Sequence, residues 1–292
     1  MIQSLSGLRH LSSGKVREIY EVPPDRLLLV ATDRVSVFDV ILPDLVPDKG
    51  RVLTALSAFW FEHTNRIISN HVISCDPADM PEVAKEVAGR AMLVHAAIPV
   101  RMECVVRGYL FGSAWTEYRT SGTINGDPAP SGLRQAERLP EPRFTPSTKA
   151  EVGSHDVALS KSEAVSLVGN ELYEKLRSAS LGLYESGRRH AENRGVILAD
   201  TKFEFGICEG DVMVIDEMMT PDSSRYWPVS QWRPGSAPPS YDKQYVRDFM
   251  DAMGWDHEPP APHLSFEAIT RTRDTYVEVY EVLSGRSFQE WY

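Results

Sequence analysis

Residues 197–217 read ILADTKFEFGICEGDVMVIDE, and this stretch predicts a β-hairpin at the centre of the fold. Apolar and polar residues alternate in its first half, as they do in a strand with one buried and one accessible face. The alternation places Asp200, Lys202 and Glu204 on one face. A second apolar run at 212–217 follows a short turn that contains glycine, which is typical of paired antiparallel strands. The stretch therefore predicts an antiparallel sheet with charged side chains on one face.

The register of this hairpin decides which charged residues face each other. A three-residue turn at 209–211, with its central glycine at positive φ, pairs Cys208 with Val212. Counting back along both strands then places Glu204 opposite Asp216. A two-residue turn would instead put these two carboxylates on opposite faces of the sheet.

Two carboxylates that face each other indicate a cation site. Like charges directly opposite each other on neighbouring strands, with Cβ atoms about 5 Å apart, destabilise the pairing. A divalent cation removes that repulsion, and two carboxylates with open coordination positions suit Mg²⁺ that carries nucleotide phosphates. The alternative is that Glu204 and Asp216 form a solvated hairpin rim without a metal.

The composition is that of an ordinary globular protein. Of 292 residues, 42% are hydrophobic and 25% are charged, which is enough for one large or two modest domains. The net charge of −10 argues against a nucleic-acid surface, so an anionic ligand needs a local basic pocket. Three scattered cysteines argue against a disulfide framework or a zinc site. Because no leader-like or membrane-length apolar segment is present, we expect a cytoplasmic protein without a membrane partner.

The order of predicted elements favours an α+β fold in which antiparallel sheets pack against helices. Short strands dominate the first hundred residues, and most predicted helices come later. We therefore predict a strand-rich lobe at 1–100 and a larger α+β lobe at 101–292, although the composition does not change sharply between them. The predicted helices lie near residues 53–61, 160–193 with an interruption at 169–170, 242–253 and 265–283.

A glycine followed by two basic residues opens a predicted strand at 15–20. Lys15 and Arg17 lie on one face of that strand, directly after Gly14. The segment is not a Walker A loop, because Val16 stands where that motif requires Ser or Thr. The two basic residues either bind phosphate or protect a strand edge from aggregation.

Another phosphate-binding pattern follows a predicted strand at 99–107. Arg107 ends that strand, and Ser113 precedes a predicted helix. A helix N-terminus with free N–H groups next to an arginine is a ready phosphate site, whereas the alternative is that Ser113 is a simple N-cap. The turn TPDSSRYWP at 220–228 adds a further guanidinium, Arg225, after the hairpin.

Three motifs, taken in order, resemble one known family. DTKFEFG at 200–206, DE at 216–217 and TPDSSR at 220–225 are similar in sequence and spacing to the signature of the SAICAR synthetases, the phosphoribosylaminoimidazole-succinocarboxamide synthases of purine biosynthesis. The resemblance extends over roughly residues 12–250. Gly108 departs from the asparagine that many members carry directly after the matching arginine.

The resemblance implies a two-lobed fold related to ATP-grasp, in which residues 1–100 cover a nucleotide bound between the lobes. It also implies an ATP-dependent ligase that joins L-aspartate to the carboxylate of carboxyaminoimidazole ribonucleotide (CAIR) and yields SAICAR, ADP and phosphate. The implied cofactor is Mg²⁺. The implied partners are these small molecules rather than nucleic acid, bound by a monomer or a small homo-oligomer.

The resemblance further implies roles for individual residues. Catalytic roles fall to Lys202, Glu204 and Asp216, of which the last two hold Mg²⁺. The residues implied to contact ATP are Lys15, Arg17, Glu103 and Lys202. The residues implied to contact the other substrates are Ser36, Asp39, Arg107, Ser113, Lys149, His155, Asp156, Asp200, Ser224 and Arg225.

Two other functions fit a nucleotide-binding scaffold of this kind. A kinase of a small phosphorylated or polyol substrate would form ADP without aspartate. A regulatory module would bind ATP and release no phosphate. An assay of ADP release in which each co-substrate is omitted in turn distinguishes these functions.

Overall fold

The computed structural model describes residues 5–149 and 156–291, so the predicted site residue His155 lies outside the described residues. The strands are β1 (Arg9–Ser13), β2 (Arg17–Val22), β3 (Arg26–Ala31), β4 (Arg34–Val37), β5 (Val40–Leu45), β6 (Val72–Ser74), β7 (Ala91–His95), β8 (Ile98–Pro99), β9 (Met102–Tyr109), β10 (Thr123–Ile124), β11 (Asp127–Pro128), β12 (Arg138–Phe144), β13 (Ser147–Thr148), β14 (Val196–Cys208), β15 (Asp211–Ile215) and β16 (Ser224–Pro228). The helices are α1 (Lys49–Thr64), α2 (Ser113–Ser121), α3 (Lys161–Val168), α4 (Asn170–Glu192), α5 (Gln244–Ala252) and α6 (Phe266–Ser284).

Two antiparallel sheets organise these elements. The first has the strand order β1-β2-β3-β7-β6 and comes entirely from the first hundred residues. The second has the order β12-β9-β14-β15, and β8, β13 and β16 pair with its two central strands. This arrangement of antiparallel sheets and helices confirms the α+β class. The division into lobes at residue 100 stays a prediction.

Helices cover both sheets and join them through one core. Helix α1 contacts the first sheet through β3 and β7, and it also packs on α4 and α6. Trp60 of α1 shares a buried cluster with Met92 of the first sheet and Phe203 of the second. The predicted break between α3 and α4 is confirmed at Gly169, whose φ of 84° lies in the region that favours glycine. None of the helices in residues 5–149 and 156–291 combines the length and the hydrophobicity that a membrane-spanning helix requires.

The turn between β14 and β15 has two residues rather than the three that the sequence predicted. Glu209 and Gly210 both adopt positive φ, at 52° and 91°. Two such residues form the type of turn whose twist matches that of antiparallel strands. As a result, Cys208 pairs with Asp211 rather than with Val212.

The one-residue change in register also changes the partner of Glu204. Glu204 pairs with Ile215, so the predicted opposition of Glu204 and Asp216 is wrong. Asp216 nevertheless reaches the same cavity as Glu204. It does so because β15 ends at Ile215 and Asp216 adopts a left-handed backbone with φ of 68°, which breaks the alternation of faces.

Candidate active site

Two adjoining cavities lie at one face of the second sheet. The first has a volume of about 430 Å³ and lies between this sheet and segments of the first hundred residues. The second has a volume of about 200 Å³ and lies beside the turn that precedes β16. Lys202, Asp222 and Arg247 line both cavities.

Every predicted site residue within the described part of the chain lines one of the two cavities. The residues of the first cavity are Lys15, Arg17, Ser36, Asp39, Glu103, Lys149, Asp156, Lys202, Glu204 and Asp216. The residues of the second cavity are Arg107, Ser113, Asp200, Lys202, Ser224 and Arg225.

The central cation of the first cavity is Lys202 on β14. Its Nζ donates to Glu103 Oε1 of β9 at 2.5 Å and to Glu204 Oε1 at 3.2 Å. Burial alone would lower the pKa of Lys202, but Glu204 and Glu103 outweigh it and raise the pKa above its ordinary value. Burial raises the pKa of Glu103 in spite of Lys202. Lys202 is therefore a permanent cation at the boundary of the two cavities.

Basic residues from two loops complete the wall of the first cavity. Lys15 donates to Asp39 in the turn between β4 and β5, and Lys149 donates to Glu204. The side chains of Lys15 and Asp39 are 35% and 50% exposed, so their ion pair is worth little and exchanges easily for another anion.

Arg17 contacts two neighbouring carboxylates that have different proton affinities. It donates to Asp216, and its Nη2 lies 3.4 Å from Glu217 Oε2. Burial would raise the pKa of Asp216, but Arg17 holds it below its ordinary value. Burial raises the pKa of Glu217 in spite of Arg17. Asp216 is therefore the more strongly ionised member of this pair.

Arg34 holds the glycine loop that carries Lys15. Its Nε donates to the Lys15 carbonyl at 2.9 Å, and its Nη2 donates to the Gly14 carbonyl at 3.0 Å. Its Nη1 donates to Glu18 at 2.5 Å. One planar guanidinium thus joins two carbonyl groups of the loop to the Glu18 carboxylate of β2.

The second cavity contains two arginines that share one carboxylate. Asp200 on β14 pairs directly with Arg107 on β9, and it faces Arg225 on β16 across the other edge. Arg225 Nη1 donates to Asp200 Oδ2 at 2.6 Å, and Arg107 Nη1 lies 3.6 Å from the same oxygen. The pair of guanidinium groups thus carries one positive charge more than its shared acidic partner.

Hydroxyl groups surround these arginines. Arg107 Nη2 donates to Ser113 Oγ at 3.3 Å and Nε donates to Thr145 Oγ1 at 3.1 Å. Ser224 Oγ donates to Thr201 Oγ1 at 2.8 Å. Ser113 is the first residue of α2 and Gly112 occupies the N-cap position, so the N-cap interpretation of Ser113 is wrong.

Two glycines leave room for neighbouring side chains of this region. Gly112 has φ of 59°, and a Cβ there would lie 2.7 Å from Arg225 Nη2. A Cβ on Gly108 would lie 1.8 Å from the hydroxyl of Tyr184, which donates to the Leu198 carbonyl at 2.9 Å. The glycine that departs from the family pattern therefore accommodates a buried tyrosine.

Glu204 and Asp216 are the two carboxylates that the sequence predicted to hold a metal ion. Both line the first cavity and offer hard oxygen donors. Among residues 5–149 and 156–291, no three His, Cys, Asp or Glu side chains are grouped to hold a metal by themselves. The donor set therefore fits an ion such as Mg²⁺, which takes one or two carboxylates and completes its shell with phosphate oxygens and water.

Several cavity residues were missed by sequence reasoning. Asp222 lies within the TPDSSR motif, but its carboxylate is held by Lys49 and Tyr276, which the motif does not include. Lys243 is the N-cap residue of α5, and Arg247 lies four residues later, in the helix. This spacing, which places two side chains on one face of a helix, is the signal in the sequence that could have indicated that both residues line the site. The missed charged residues are Glu217, Asp222, Asp242, Lys243 and Arg247.

Comparisons with known sequences agree over most of the chain. The sequence model of the SAICAR synthetase family matches residues 10–262. A phosphoribosylaminoimidazole-succinocarboxamide synthase from Methylococcus capsulatus is 52% identical over 287 residues, which cover 97% of this chain and 96% of the relative. The synthase of the same name from Halorhodospira halophila is 49% identical over 283 residues, which cover 96% of each chain.

Solved structures show the same fold. A SAICAR synthase from Saccharomyces cerevisiae, in complex with SAICAR, has a TM-score of 0.87 at 38% identity and covers 98% of this chain and 97% of its own. A Type-2 SAICAR synthetase in complex with ADP shares the fold, with a TM-score of 0.70 at 22% identity. The predicted relation to ATP-grasp stays a prediction. Because the family model covers most of the sequence and the fold agrees, this chain belongs to the SAICAR synthetase family.

Proposed function

We propose that the two cavities together join L-aspartate to the carboxylate of CAIR, with ATP as phosphoryl donor and SAICAR, ADP and phosphate as products. The observation that carries this proposal is that two cation-bearing cavities adjoin at Lys202. A ligase that activates a carboxylate with ATP must hold two anionic substrates side by side so that their reacting groups meet. The relative solved with SAICAR, at 38% identity, supports this choice of substrate.

We assign the first cavity to ATP. Lys15, Arg17 and Lys202 are the cations for the triphosphate, and Glu103 orients Lys202 through its 2.5 Å hydrogen bond. The nucleotide phosphates would replace the Asp39 carboxylate as the acceptor for Lys15, whose side chain is partly exposed. Further residues of the same cavity, which we assign to the substrates that meet ATP there, are Ser36, Asp39, Lys149 and Asp156.

We assign the second cavity to the phosphate of the ribonucleotide. Arg107 and Arg225 offer two planar forks, and bidentate binding of phosphate is the geometry that a guanidinium favours. Asp200 holds both forks in position, while Ser113 and Ser224 supply hydroxyls. The excess positive charge of the arginine pair supports a dianionic ligand.

Glu204 and Asp216 would hold the Mg²⁺ that accompanies the nucleotide. When bound, this ion neutralises charge on the phosphates during phosphoryl transfer.

The chemistry requires activation because a carboxylate oxygen is a poor leaving group. A carboxylate oxygen of CAIR attacks the γ-phosphorus of ATP, the bond to ADP breaks, and an acyl phosphate forms. The aspartate amine then attacks the acyl carbon, the carbon–oxygen bond to phosphate breaks, and the amine loses a proton. Lys202 lines both cavities, which supports a role in neutralising the transferred phosphoryl group.

We further propose that the enzyme works in the cytoplasm as a monomer or small homo-oligomer on small molecules alone. The net charge of −10 supports this choice over a nucleic-acid partner.

The test is a coupled assay of ADP release in which each substrate is omitted in turn. We expect ADP only when Mg²⁺, ATP, CAIR and L-aspartate are all present. Full-rate ADP release without aspartate would indicate a kinase, and ATP binding without any phosphate release would indicate a regulatory module.

A further inference from the structure

A buried carboxylate, Asp222, lies in the wall between the two cavities. Its side chain is only 3% exposed. Lys49 Nζ donates to Oδ2 at 2.7 Å, and Lys243 Nζ lies 3.6 Å from the same oxygen. The Tyr276 hydroxyl donates to Oδ1 at 2.8 Å. Separate parts of the chain therefore fix both oxygens of one carboxylate.

The partners of Asp222 are themselves removed from water. Lys49 and Tyr276 are fully buried. Burial and the Asp222 charge raise the pKa of Tyr276 well above its ordinary value, so the hydroxyl keeps its proton and donates. A buried ion pair is weak evidence for stability, because desolvation offsets its attraction. The role of this cluster must therefore be sought in what it holds in place.

Asp222 belongs to the turn that leads into the second cavity. Its backbone N–H donates to Thr220 Oγ1 at 3.2 Å within that turn. Two and three residues later, Ser224 and Arg225 begin β16 and line the second cavity. Because only two residues separate Asp222 from Arg225, the turn that carries the Asp222 carboxylate also carries the backbone of Arg225 into β16.

We propose that Tyr276 is a positioning residue, whose hydroxyl holds Asp222 and thereby the turn that presents Ser224 and Arg225 to the ribonucleotide phosphate. Tyr276 lies on α6, beyond the residues 10–262 that the family sequence model matches. The inference rests on the proposed function of the second cavity and deepens it. Asp222 lines both cavities, but Ser224 and Arg225 line only the second of the two, so helix α6 would affect affinity for the ribonucleotide more than affinity for ATP.

The experiment compares Tyr276→Phe with Tyr280→Phe. Tyr280 lies one turn further along α6, is 2% exposed and lines neither cavity, so the control makes the same chemical change on the same helix. We expect Y276F to raise the KM for CAIR about three- to tenfold, with kcat and the KM for ATP within about twofold. Y280F should leave all three parameters at parental values.

A double-mutant cycle tests whether Tyr276 acts through Asp222. Asp222→Asn should weaken CAIR binding, and adding Y276F to that variant should change it by less than about twofold. Independent, multiplicative effects of the two substitutions would overturn the inference. So would a Y276F enzyme that melts at a lower temperature with unchanged KM values, because that result marks a purely structural role.

Two further measurements keep the inference separate from the proposed function. Calorimetric titration measures the binding of CAIR without turnover. If the parent protein bound CAIR but formed no product, the ligase proposal would fail. The affinity of Y276F for CAIR would still test whether Tyr276 positions the turn. Lys49→Met removes the other fixed donor to the same carboxylate. It should show the same selective loss of CAIR affinity, even if Y276F fails to fold, and parental affinity would contradict the inference.

Discussion

The two cavities differ in the balance of the charges that line them. Among the described residues, the first cavity has seven acidic side chains and six basic ones. The second has four basic side chains and three acidic ones. Both are proposed to receive phosphate groups, but only the second has an excess of positive charge.

This difference indicates that the two proposed phosphate sites obtain the positive charge for binding from different sources. A triphosphate that enters the acidic first cavity meets carboxylates as well as lysines, so its binding requires additional positive charge. We propose that a divalent cation held by Glu204 and Asp216 supplies this charge. In the second cavity, the two positive charges of Arg107 and Arg225 exceed the single negative charge of Asp200 between them, so we expect a sugar phosphate to bind there without a metal.

Removal of divalent ions should separate the two cavities most clearly. We expect EDTA to abolish ADP formation, because the first cavity then lacks the charge that a triphosphate needs. Binding of CAIR, measured by calorimetry, should change by less than about twofold, because arginines hold its phosphate. Restoring Mg²⁺ should restore turnover. If EDTA weakened CAIR binding as strongly as it reduces ADP formation, that result would contradict the proposed difference between the cavities.

Glu204→Gln should weaken the binding of Mg-ATP in the first cavity and leave the second cavity unaffected. An amide oxygen is a poorer ligand for a hard cation than a carboxylate, so we expect Mg-ATP turnover to fall on the order of 100-fold. Glu209→Gln, in the exposed turn of the same hairpin, is the matched control and should behave like the parent. Stabilisation by Mg-ATP, measured as the shift in melting temperature, should be smaller for E204Q than for E209Q. Equal shifts and normal turnover would mean that Glu204 is not a metal ligand.

Arg225→Lys should weaken the binding of CAIR in the second cavity and leave the first cavity unaffected. An ammonium cannot reproduce a bidentate fork. A hydrogen bond to a charged group contributes about 1.5–3 kcal/mol, so we expect the KM for CAIR to rise about 10- to 150-fold. The KM for ATP should stay at its parental value. Arg233→Lys replaces an exposed arginine nearby and serves as the control. An unchanged KM for CAIR in R225K would remove Arg225 from the phosphate site.

Asp222, in the wall shared by the cavities, should have a smaller effect, which we expect in the pH dependence of the melting temperature. Burial would raise the pKa of Asp222, but Lys243 and Lys49 hold it below its ordinary value. A carboxyl whose pKa falls on folding stabilises the protein above its unfolded pKa, about 3.9, and this contribution is lost as the pH falls through the folded value. Asp222→Asn should therefore lower the melting temperature by roughly several degrees at pH 7. The gap between parent and variant should narrow below about pH 4. Melting curves across pH check this, and a constant gap would contradict it.

Local pattern accounts for much of what the sequence predicted correctly. Helix α3 begins at Lys161, next to the predicted start at residue 160, because Ser160 and Glu163 satisfy each other's backbone N–H groups within four consecutive residues. The face shared by Lys202 and Glu204 follows from the alternation of strand side chains. The ordered motifs added the site residues, because resemblance brings together segments that are far apart along the chain.

The hairpin register shows where local pattern fails. Two- and three-residue turns both accommodate Glu209 and Gly210, so the sequence left the register open by one residue. Packing of the sheet selected one register, and the left-handed backbone of Asp216 then returned its carboxylate to the cavity that contains Glu204. The two carboxylates therefore line the same cavity although the predicted pairing was wrong.

By itself, the sequence determined the α+β class and the family, and it predicted about half of the residues that line the two cavities, because each of these follows from local periodicity or from ordered motifs. Only the tertiary structure decided which charges meet. Asp200 lies between two arginines because β9 and β16 both pair with β14. Asp222 is held by Lys49 and Tyr276, which are distant from it along the chain. Such contacts depend on strand pairing and helix packing across the whole core, and no local pattern of residues encodes them.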